Sequence, residues 1–247
     1  MLAAIRCGKG EVGANLARHL QVAGEARQAG CSVVLFPEMS LSGSVDPATH
    51  PERLITLSDP AVVTLTAASA GTGVAICFGI AERDPAGVPR ITQLFAAGGE
   101  ITAVQRKRHL GDGEEAFTAA AGLAIAEHAG TRLGIAICAE SGYNGPFDDA
   151  AAAGAALMLF PAAPGLFGRR TTEESWRAGH AWWEGCGLAD ARRHAQRRGL
   201  WVALAGQAGS TADEDFPGLA ALVGPGGDVV SRLPDWRAGQ LTVDIPL

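Results

Sequence analysis

Short apolar runs, each ended by a proline, a glycine or a polar residue, recur along the chain and restrict its fold more than any other feature. Runs of this length suit strands that are covered on both faces. Stretches with apolar residues at helical spacing separate some runs, and glycine-rich turns separate others. The pattern predicts an α/β sandwich whose helices cover the sheets. The predicted strands include 31–36, 155–160 (ended by Pro161) and 200–205, and the predicted helices include 15–29 and a long one through about 198.

Length and composition favour one domain over residues 1–247, since no linker interrupts the 247 residues. Every apolar run is shorter than the ~18 residues that a membrane helix needs, and no basic segment precedes an apolar one at the N-terminus. We therefore expect no membrane segment and no export. The cysteines are odd in number and form no Cys-x-x-Cys pair, which argues against a disulfide framework and indicates a cytoplasmic protein. They are Cys7, Cys31, Cys77, Cys138 and Cys186.

Charge and histidine spacing exclude two further classes. The formal net charge of −6 provides no electrostatic attraction to nucleic acid or to an anionic membrane surface. The six histidines show no His-x-x-x-His spacing, so no metal site is predicted. We therefore expect neither nucleic acid nor a membrane as a partner, and no metal ion.

The stretch 132–142 carries the clearest sign of chemistry. Apolar residues lead directly into Cys138, and small, flexible residues follow it. A thiol at a strand end can project into a cleft, and the backbone N–H groups of the following turn can point into the same cleft as hydrogen-bond donors. Free cysteines are also among the most buried residue types, so a packing role for Cys138 is the alternative.

Two other residues stand where predicted strands end and have complementary chemistry. Glu38 follows Phe36-Pro37, and Lys107 ends the strand 100–106. In α/β folds, sites are built at strand ends. A thiol is mostly protonated at neutral pH, so a nearby base or cation is needed to make it a useful nucleophile. Glu38 could supply the base and Lys107 the cation.

Three motifs in this order resemble those of the nitrilase, or carbon–nitrogen hydrolase, superfamily. Their order and spacing agree over nearly the whole chain. Weaker matches occur at 13–16, 154–155, 161–163 and 224–228. The motifs are Phe36-Pro37-Glu38 with Ser40-Leu41-Ser42-Gly43, Arg106-Lys107-Arg108-His109-Leu110, and Gly134-Ile135-Ala136-Ile137-Cys138.

The resemblance implies a four-layer α-β-β-α sandwich of the nitrilase type and a Glu–Lys–Cys triad. Cys138 would be the nucleophile, Glu38 the general base and Lys107 the stabiliser of the tetrahedral intermediate. The family often adds a second glutamate after the lysine, and here either Glu114 or Glu115 could take that part. The N–H of Ala139 would donate to the oxyanion. Family members are homodimers or larger homo-oligomers and need no metal or organic cofactor.

The loop after Cys138 departs from the family pattern. The family commonly has tyrosine and aspartate after the cysteine, whereas here Ala139 and Glu140 follow it. The altered loop makes Glu140, Tyr143 and Asn144 candidates for contact with the substrate.

The sequence thus predicts a cysteine-dependent hydrolase that cleaves a non-peptide C–N bond of a small amide through a thioester. The same triad would also serve a nitrile or an N-carbamoyl substrate. A non-catalytic binding protein on the nitrilase fold is the alternative of another class.

Overall fold

The computed structural model describes residues 1–247 and contains two six-stranded sheets, one two-stranded hairpin and five α-helices. The helices are α1 (Val12–Gln28), α2 (Pro60–Thr72), α3 (Gly145–Ala152), α4 (Glu173–Trp183) and α5 (Ala189–Arg198). The strands are β1 (Leu2–Ala4), β2 (Val33–Leu35), β3 (Ala75–Arg83), β4 (Pro89–Ala97), β5 (Glu100–Arg106), β6 (Ile125–His128), β7 (Thr131–Ile135), β8 (Leu157–Ala162), β9 (Trp201–Gly206), β10 (Ala208–Ser210), β11 (Asp215–Pro217), β12 (Ala220–Val223), β13 (Val229–Arg232) and β14 (Gly239–Leu241).

The two large sheets follow the same plan. Their strand orders are β14-β1-β2-β3-β4-β5 and β13-β12-β9-β8-β7-β6. In each, three strands run parallel, β1, β2 and β3 in the first sheet and β7, β8 and β9 in the second. Helices connect these strands, and antiparallel strands complete each sheet. The carboxyl ends of parallel strands meet at one edge, where α/β folds build their sites.

Burial divides the molecule into four layers. A cluster of 19 buried apolar residues fills the space between the first sheet and helices α1 and α2. A larger cluster of 42 lies between the two sheets and beneath α3, α4 and α5. Strand β1 of the first sheet contacts β9 of the second, so the sheets pack face to face. The predicted α-β-β-α sandwich is confirmed.

The long helix predicted through residue 198 is present and contains one irregular turn. Thr172 caps α4 by accepting a hydrogen bond from the Ser175 N–H, and Gly199 with a φ of 65° ends α5. Between the two helices, Glu184–Leu188 form a π-helical turn. Gly187 lies so close to the Trp183 ring that a Cβ there would be 2.4 Å from it. The wide turn therefore packs the ring directly on backbone.

The prediction that Pro161 ends its strand is wrong. Strand β8 continues to Ala162, and Pro161 pairs with Ala205 of β9. On its other side β8 pairs with β7 only from Leu157 to Leu159. Proline cannot donate a ladder hydrogen bond and is tolerated where no neighbouring strand needs one. Because β7 has already ended at this level, no carbonyl group of β7 requires a hydrogen bond from residue 161.

The apolar run before Cys138 also ends earlier than the sequence suggests. Strand β7 stops at Ile135, and Cys138 begins a short 3-10 helix that extends to Gly142. The hairpin of β10 and β11 was not predicted from the sequence. No helix is both long enough and apolar enough to span a membrane.

Candidate active site

Glu38 sits in a tight turn just beyond β2. The turn requires a positive φ of 47° at Met39, which is uncommon outside glycine. Gly79 of β3 makes room for it, since a Cβ at residue 79 would lie 2.3 Å from the Met39 nitrogen. The Glu38 side chain is only 1% exposed. Close backbone packing therefore holds this carboxylate inside the protein.

Hydrogen bonds from two serines tie the same turn to its surroundings. The Ser40 Oγ accepts from the Gly79 N–H at 3.2 Å and lies 2.9 Å from Nε2 of His19 on α1. The Ser42 Oγ accepts from the Ala81 N–H at 2.7 Å. Nδ1 of His19 lies 2.7 Å from the Asn15 carbonyl and must donate to it, so Nε2 accepts from Ser40. These contacts give the motif residues 40–43 a structural role beside Glu38.

Lys107 follows β5 directly and is anchored by its backbone. Its N–H donates to the Ile91 carbonyl at 2.8 Å, and its side chain is fully buried. The two flanking arginines form ion pairs outside the site. Arg106 pairs with buried Glu82 and Arg108 pairs with Asp149, each at 2.7 Å. Of these three basic side chains, Lys107 is the one that enters the cluster with Glu38.

A buried ion cluster joins Lys107 to two carboxylates. Its Nζ lies 2.7 Å from Oε1 of Glu38 and 2.6 Å from Oε1 of Glu114. The other Glu114 oxygen accepts from the Gly111 N–H at 2.6 Å. Glu115 is exposed and accepts from the Gly113 N–H instead. The structure therefore brings Glu114, and not Glu115, to the lysine.

Cys138 starts the 3-10 turn with a φ of 44°, a left-handed conformation that is strained for a non-glycine residue. Its side chain lies in the same cluster and is 9% exposed. Ala139 follows it, and its Cβ would be 3.0 Å from a Cβ placed on Gly111. The loop carrying Glu114 thus packs directly against the residue after the thiol.

Ala163, just beyond β8, supplies a backbone donor that the sequence reasoning missed. Its N–H donates to Oε2 of Glu38 at 3.1 Å and also interacts with the Cys138 thiol, lowering the pKa of that thiol. The only sequence signal was the weak family match at 161–163. Glu38, Lys107, Cys138 and Ala163 all lie just beyond the ends of strands.

Burial and charge set the protonation of the cluster. Burial and the Glu38 charge raise the pKa of Cys138 well above 9.0, outweighing Lys107. Burial also raises the pKa of Glu38, although Lys107 acts against it. Burial lowers the pKa of Lys107, but Glu38, Cys138 and Glu114 together raise it above its ordinary value. The resting cluster therefore holds an ammonium group and a neutral thiol.

The three candidates for substrate contact have different surroundings. Glu140 is fully buried, and both its oxygens accept backbone N–H groups, so the predicted contact with substrate does not fit its position. Tyr143 is 47% exposed and stacks on His109 with ring centroids 4.0 Å apart. Asn144 is exposed and accepts a hydrogen bond from Arg193 at 3.0 Å.

Comparison with family models gives a match over residues 2–247 to the model described as carbon–nitrogen hydrolase. The chain belongs to the carbon–nitrogen hydrolase family. Its structural neighbours include members of the nitrilase superfamily, as the sequence motifs predicted. The reaction class of this carbon–nitrogen hydrolase is cleavage of C–N bonds other than peptide bonds. A search of curated proteins finds no match.

Among solved structures, the carbon–nitrogen hydrolase resembles the NitN amidase of Nesterenkonia sp. AN1, with a TM-score of 0.83 and 24% identity over 99% of this chain and 91% of that one. A cysteine-to-alanine variant of the same amidase has a TM-score of 0.79 and 22% sequence identity, and the match covers 96% of this chain and 86% of that one. The glutamine-dependent NAD+ synthetase of Acinetobacter baumannii has a TM-score of 0.79 and 15% sequence identity, and the match covers 96% of this chain and 43% of that one. At sequence identities below 25%, these structural similarities show a shared fold and nothing more specific.

Proposed function

We propose that this carbon–nitrogen hydrolase cleaves a small amide through a thioester formed on Cys138. The observation that carries the proposal is the buried cluster in which Lys107 Nζ contacts Glu38 and Glu114 at 2.7 and 2.6 Å beside the thiol. Perturbed titratable groups that converge at strand ends are typical of catalytic sites. Glu38 acts as general base, Lys107 as oxyanion stabiliser and Cys138 as nucleophile.

The first step moves a proton inside the cluster. Glu38 takes the thiol proton of Cys138, so the negative charge passes from oxygen to sulfur and the net charge of the site is unchanged. Releasing that proton to water would instead add a charge to a buried site that already has two carboxylates and one ammonium. The raised pKa of Glu38 makes it a better proton acceptor than an exposed glutamate.

Attack of the thiolate forms the S–C bond and moves the carbonyl electron pair onto oxygen. An ammonium group has three N–H donors, and Glu38 and Glu114 take two of those on Lys107. The third is available for the oxyanion, together with the Ala139 N–H. Protonated Glu38 then gives its proton to the leaving nitrogen as the C–N bond breaks, and ammonia or an amine departs.

Hydrolysis of the thioester completes the cycle. Glu38, again a carboxylate, takes a proton from water while the water oxygen attacks the acyl carbon. The C–S bond breaks, and the thiolate regains the proton from Glu38. Glu114 keeps Lys107 charged and in place throughout. One water is consumed in each cycle, and its oxygen ends in the carboxylic acid product.

Burial of the cluster favours a small substrate. Cys138 is 9% exposed, and Glu38 and Lys107 are each 1% exposed. A short acyl group needs less access to the sulfur than a bulky one. We therefore propose short aliphatic amides as the first substrates to test.

The direct test is ammonia release from a panel of short amides, nitriles and ureido acids, with wild-type protein and Cys138→Ala. Amide turnover that disappears in the variant supports the proposal. Cys186 is an exposed free thiol and gives the matched control, Cys186→Ala, which should keep full activity. Amide turnover by Cys138→Ala would refute the mechanism, and turnover of nitriles or ureido acids alone would refute the substrate class.

A covalent probe separates an enzyme from a binding protein. The amidase of Nesterenkonia sp. AN1 forms a Michael adduct with acrylamide at its active-site cysteine in a variant that has one glutamate replaced by glutamine. We expect acrylamide to add to Cys138 here, to a greater extent in Glu38→Gln than in Lys107→Met. Intact-mass and peptide mass spectrometry would locate the adduct, and modification at Cys186 alone would count against a catalytic thiol.

A further inference from the structure

We propose that Glu140 is a positioning residue that fastens the backbone beside Lys107 to the backbone beside Cys138. The inference rests on the proposed function, because it concerns how the ammonium and the sulfur of that reaction are held together. The sequence assigned this residue to substrate contact, and its surroundings in the structure indicate a different role.

Both oxygens of the Glu140 carboxylate accept backbone hydrogen bonds from different segments. Oε1 accepts from the Arg108 N–H at 2.5 Å, and Oε2 accepts from the Ile137 N–H at 2.7 Å. Arg108 directly follows Lys107, and Ile137 directly precedes Cys138. One buried side chain therefore binds the backbone of the residue after Lys107 and of the residue before Cys138.

The two anchored segments belong to different sheets. Arg108 lies just beyond β5, the edge strand of the first sheet, whereas Ile137 lies just beyond β7 of the second. No ladder of strand hydrogen bonds crosses from one sheet to the other. The carboxylate of Glu140 thus provides a polar link across the sandwich at the level of the site.

The chemistry of the link requires a carboxylate. Two N–H donors point at one side chain, and a carboxylate offers two acceptor oxygens. Glutamine of the same size offers one oxygen and one N–H donor, so one backbone N–H would face another donor. Hydrogen bonds to an ionised acceptor are also stronger than those to a neutral one. Glu140→Gln should loosen one of the two anchored segments without removing volume.

Burial argues against direct contact with substrate. Glu140 is 0% exposed, whereas Cys138 is 9% exposed. A substrate must reach the exposed part of Cys138, whereas Glu140 has no exposed surface and both its oxygens already accept backbone N–H groups. Glu140 therefore acts on the reaction through the positions of Lys107 and Cys138.

The experiment compares Glu140→Gln with wild type and with Glu100→Gln, the same substitution at an exposed residue at the start of β5. We expect Glu140→Gln to lower kcat by about 10²-fold with little change in KM, because a displacement of about 1 Å at a reacting group has that effect. The iodoacetamide reaction of Cys138 should need a higher pH, since Lys107 would stabilise the thiolate less well. Glu100→Gln should match wild type in both.

Circular dichroism and thermal melting show whether the variants are folded, and Glu140→Asp provides a second variant if glutamine disrupts folding. Aspartate keeps the charge on a shorter side chain, so kcat and alkylation should lie between wild type and Glu140→Gln. Unchanged kcat and an unchanged alkylation profile in a folded Glu140→Gln would overturn the inference and leave the proposed function intact. Raised KM with unchanged kcat would also overturn it, because that pattern indicates substrate binding. The alkylation profile tests the inference even if no amide in the panel is turned over, an outcome that would refute the proposed function.

Discussion

The Lys107 ammonium lies 2.7 Å from the Glu38 carboxylate, and both groups are buried. Glu114, at 2.6 Å from the same ammonium, gives the cation a second carboxylate. Removing one member of a buried ion pair leaves its partner charged and uncompensated, which is more costly than the pair itself.

Lys107→Met should abolish amide turnover and lower the free energy of unfolding by about 3–5 kcal/mol, because buried Glu38 and partly buried Glu114 lose their cation. Chemical denaturation and ammonia release measure the two effects. Lys9→Met, which removes a partly exposed lysine from a pair with Asp213, is the control and should change both much less. Equal losses of turnover and of unfolding free energy in the two variants would contradict the proposed role of Lys107 as the buried cation of the site.

Glu114→Gln should lower kcat at least tenfold, whereas Glu115→Gln should leave it within about twofold of wild type, since only Glu114 contacts Lys107. The two residues are adjacent, so the comparison isolates the contact from the loop that carries it. Steady-state kinetics on the best amide would measure the difference. A larger loss in Glu115→Gln would show that the assignment is reversed.

The pH profile of kcat/KM should fall on the acid side as Glu38 becomes protonated. Burial raises the Glu38 pKa above its ordinary 4.5, and only the ionised carboxylate can accept the thiol proton. Activity should therefore be present above that raised pKa and be lost as the pH falls through it. Glu38→Gln should remove the activity, whereas Glu127→Gln, at an exposed residue, should keep the wild-type profile. An acid limb centred below 4.5 would argue against Glu38 as the base.

Gly79→Ala should disturb the turn that carries Glu38. The new Cβ would lie 2.3 Å from the backbone nitrogen of Met39, and backbone cannot move aside as a flexible side chain can. We expect a lower melting temperature and loss of turnover. Gly71→Ala, on α2 with nothing within 4 Å of the new Cβ, is the matched control and should be neutral or stabilising. A fully active Gly79→Ala would show that the turn tolerates displacement.

His19 should make stability depend on pH. Burial lowers the pKa of His19 to about 4, below the ordinary 6.5 of the unfolded chain. The unfolded state therefore binds more protons between these values, and the contribution of neutral His19 is complete above about 6.5 and is lost as the pH falls towards 4. His19→Gln should show a smaller loss of melting temperature over this interval than wild type. Parallel curves for the two proteins would contradict this expectation.

Local signals in the sequence were sufficient for much of the fold. Asp59 accepts from the Ala61 N–H at the start of α2, and Gly73 with a φ of 70° ends that helix, as capping rules predict. Short apolar runs identified the parallel strands, because strands covered on both faces are apolar throughout. The boundary at Pro161 was misplaced because it depends on where the neighbouring strand β7 ends, which no local pattern records.

For the site, the sequence by itself was enough to predict three candidate groups and their order, since Glu38, Lys107 and Cys138 each follow a predicted strand. The tertiary structure decided which carboxylates surround the lysine. Glu114 and Glu115 are equivalent by sequence, and only the fold of their loop brings one of them to Lys107. It also decided the place of Glu140, whose partners Arg108 and Ile137 come from different sheets. Local patterns reflect backbone preference and burial, whereas contacts between distant segments exist only once the two sheets have packed.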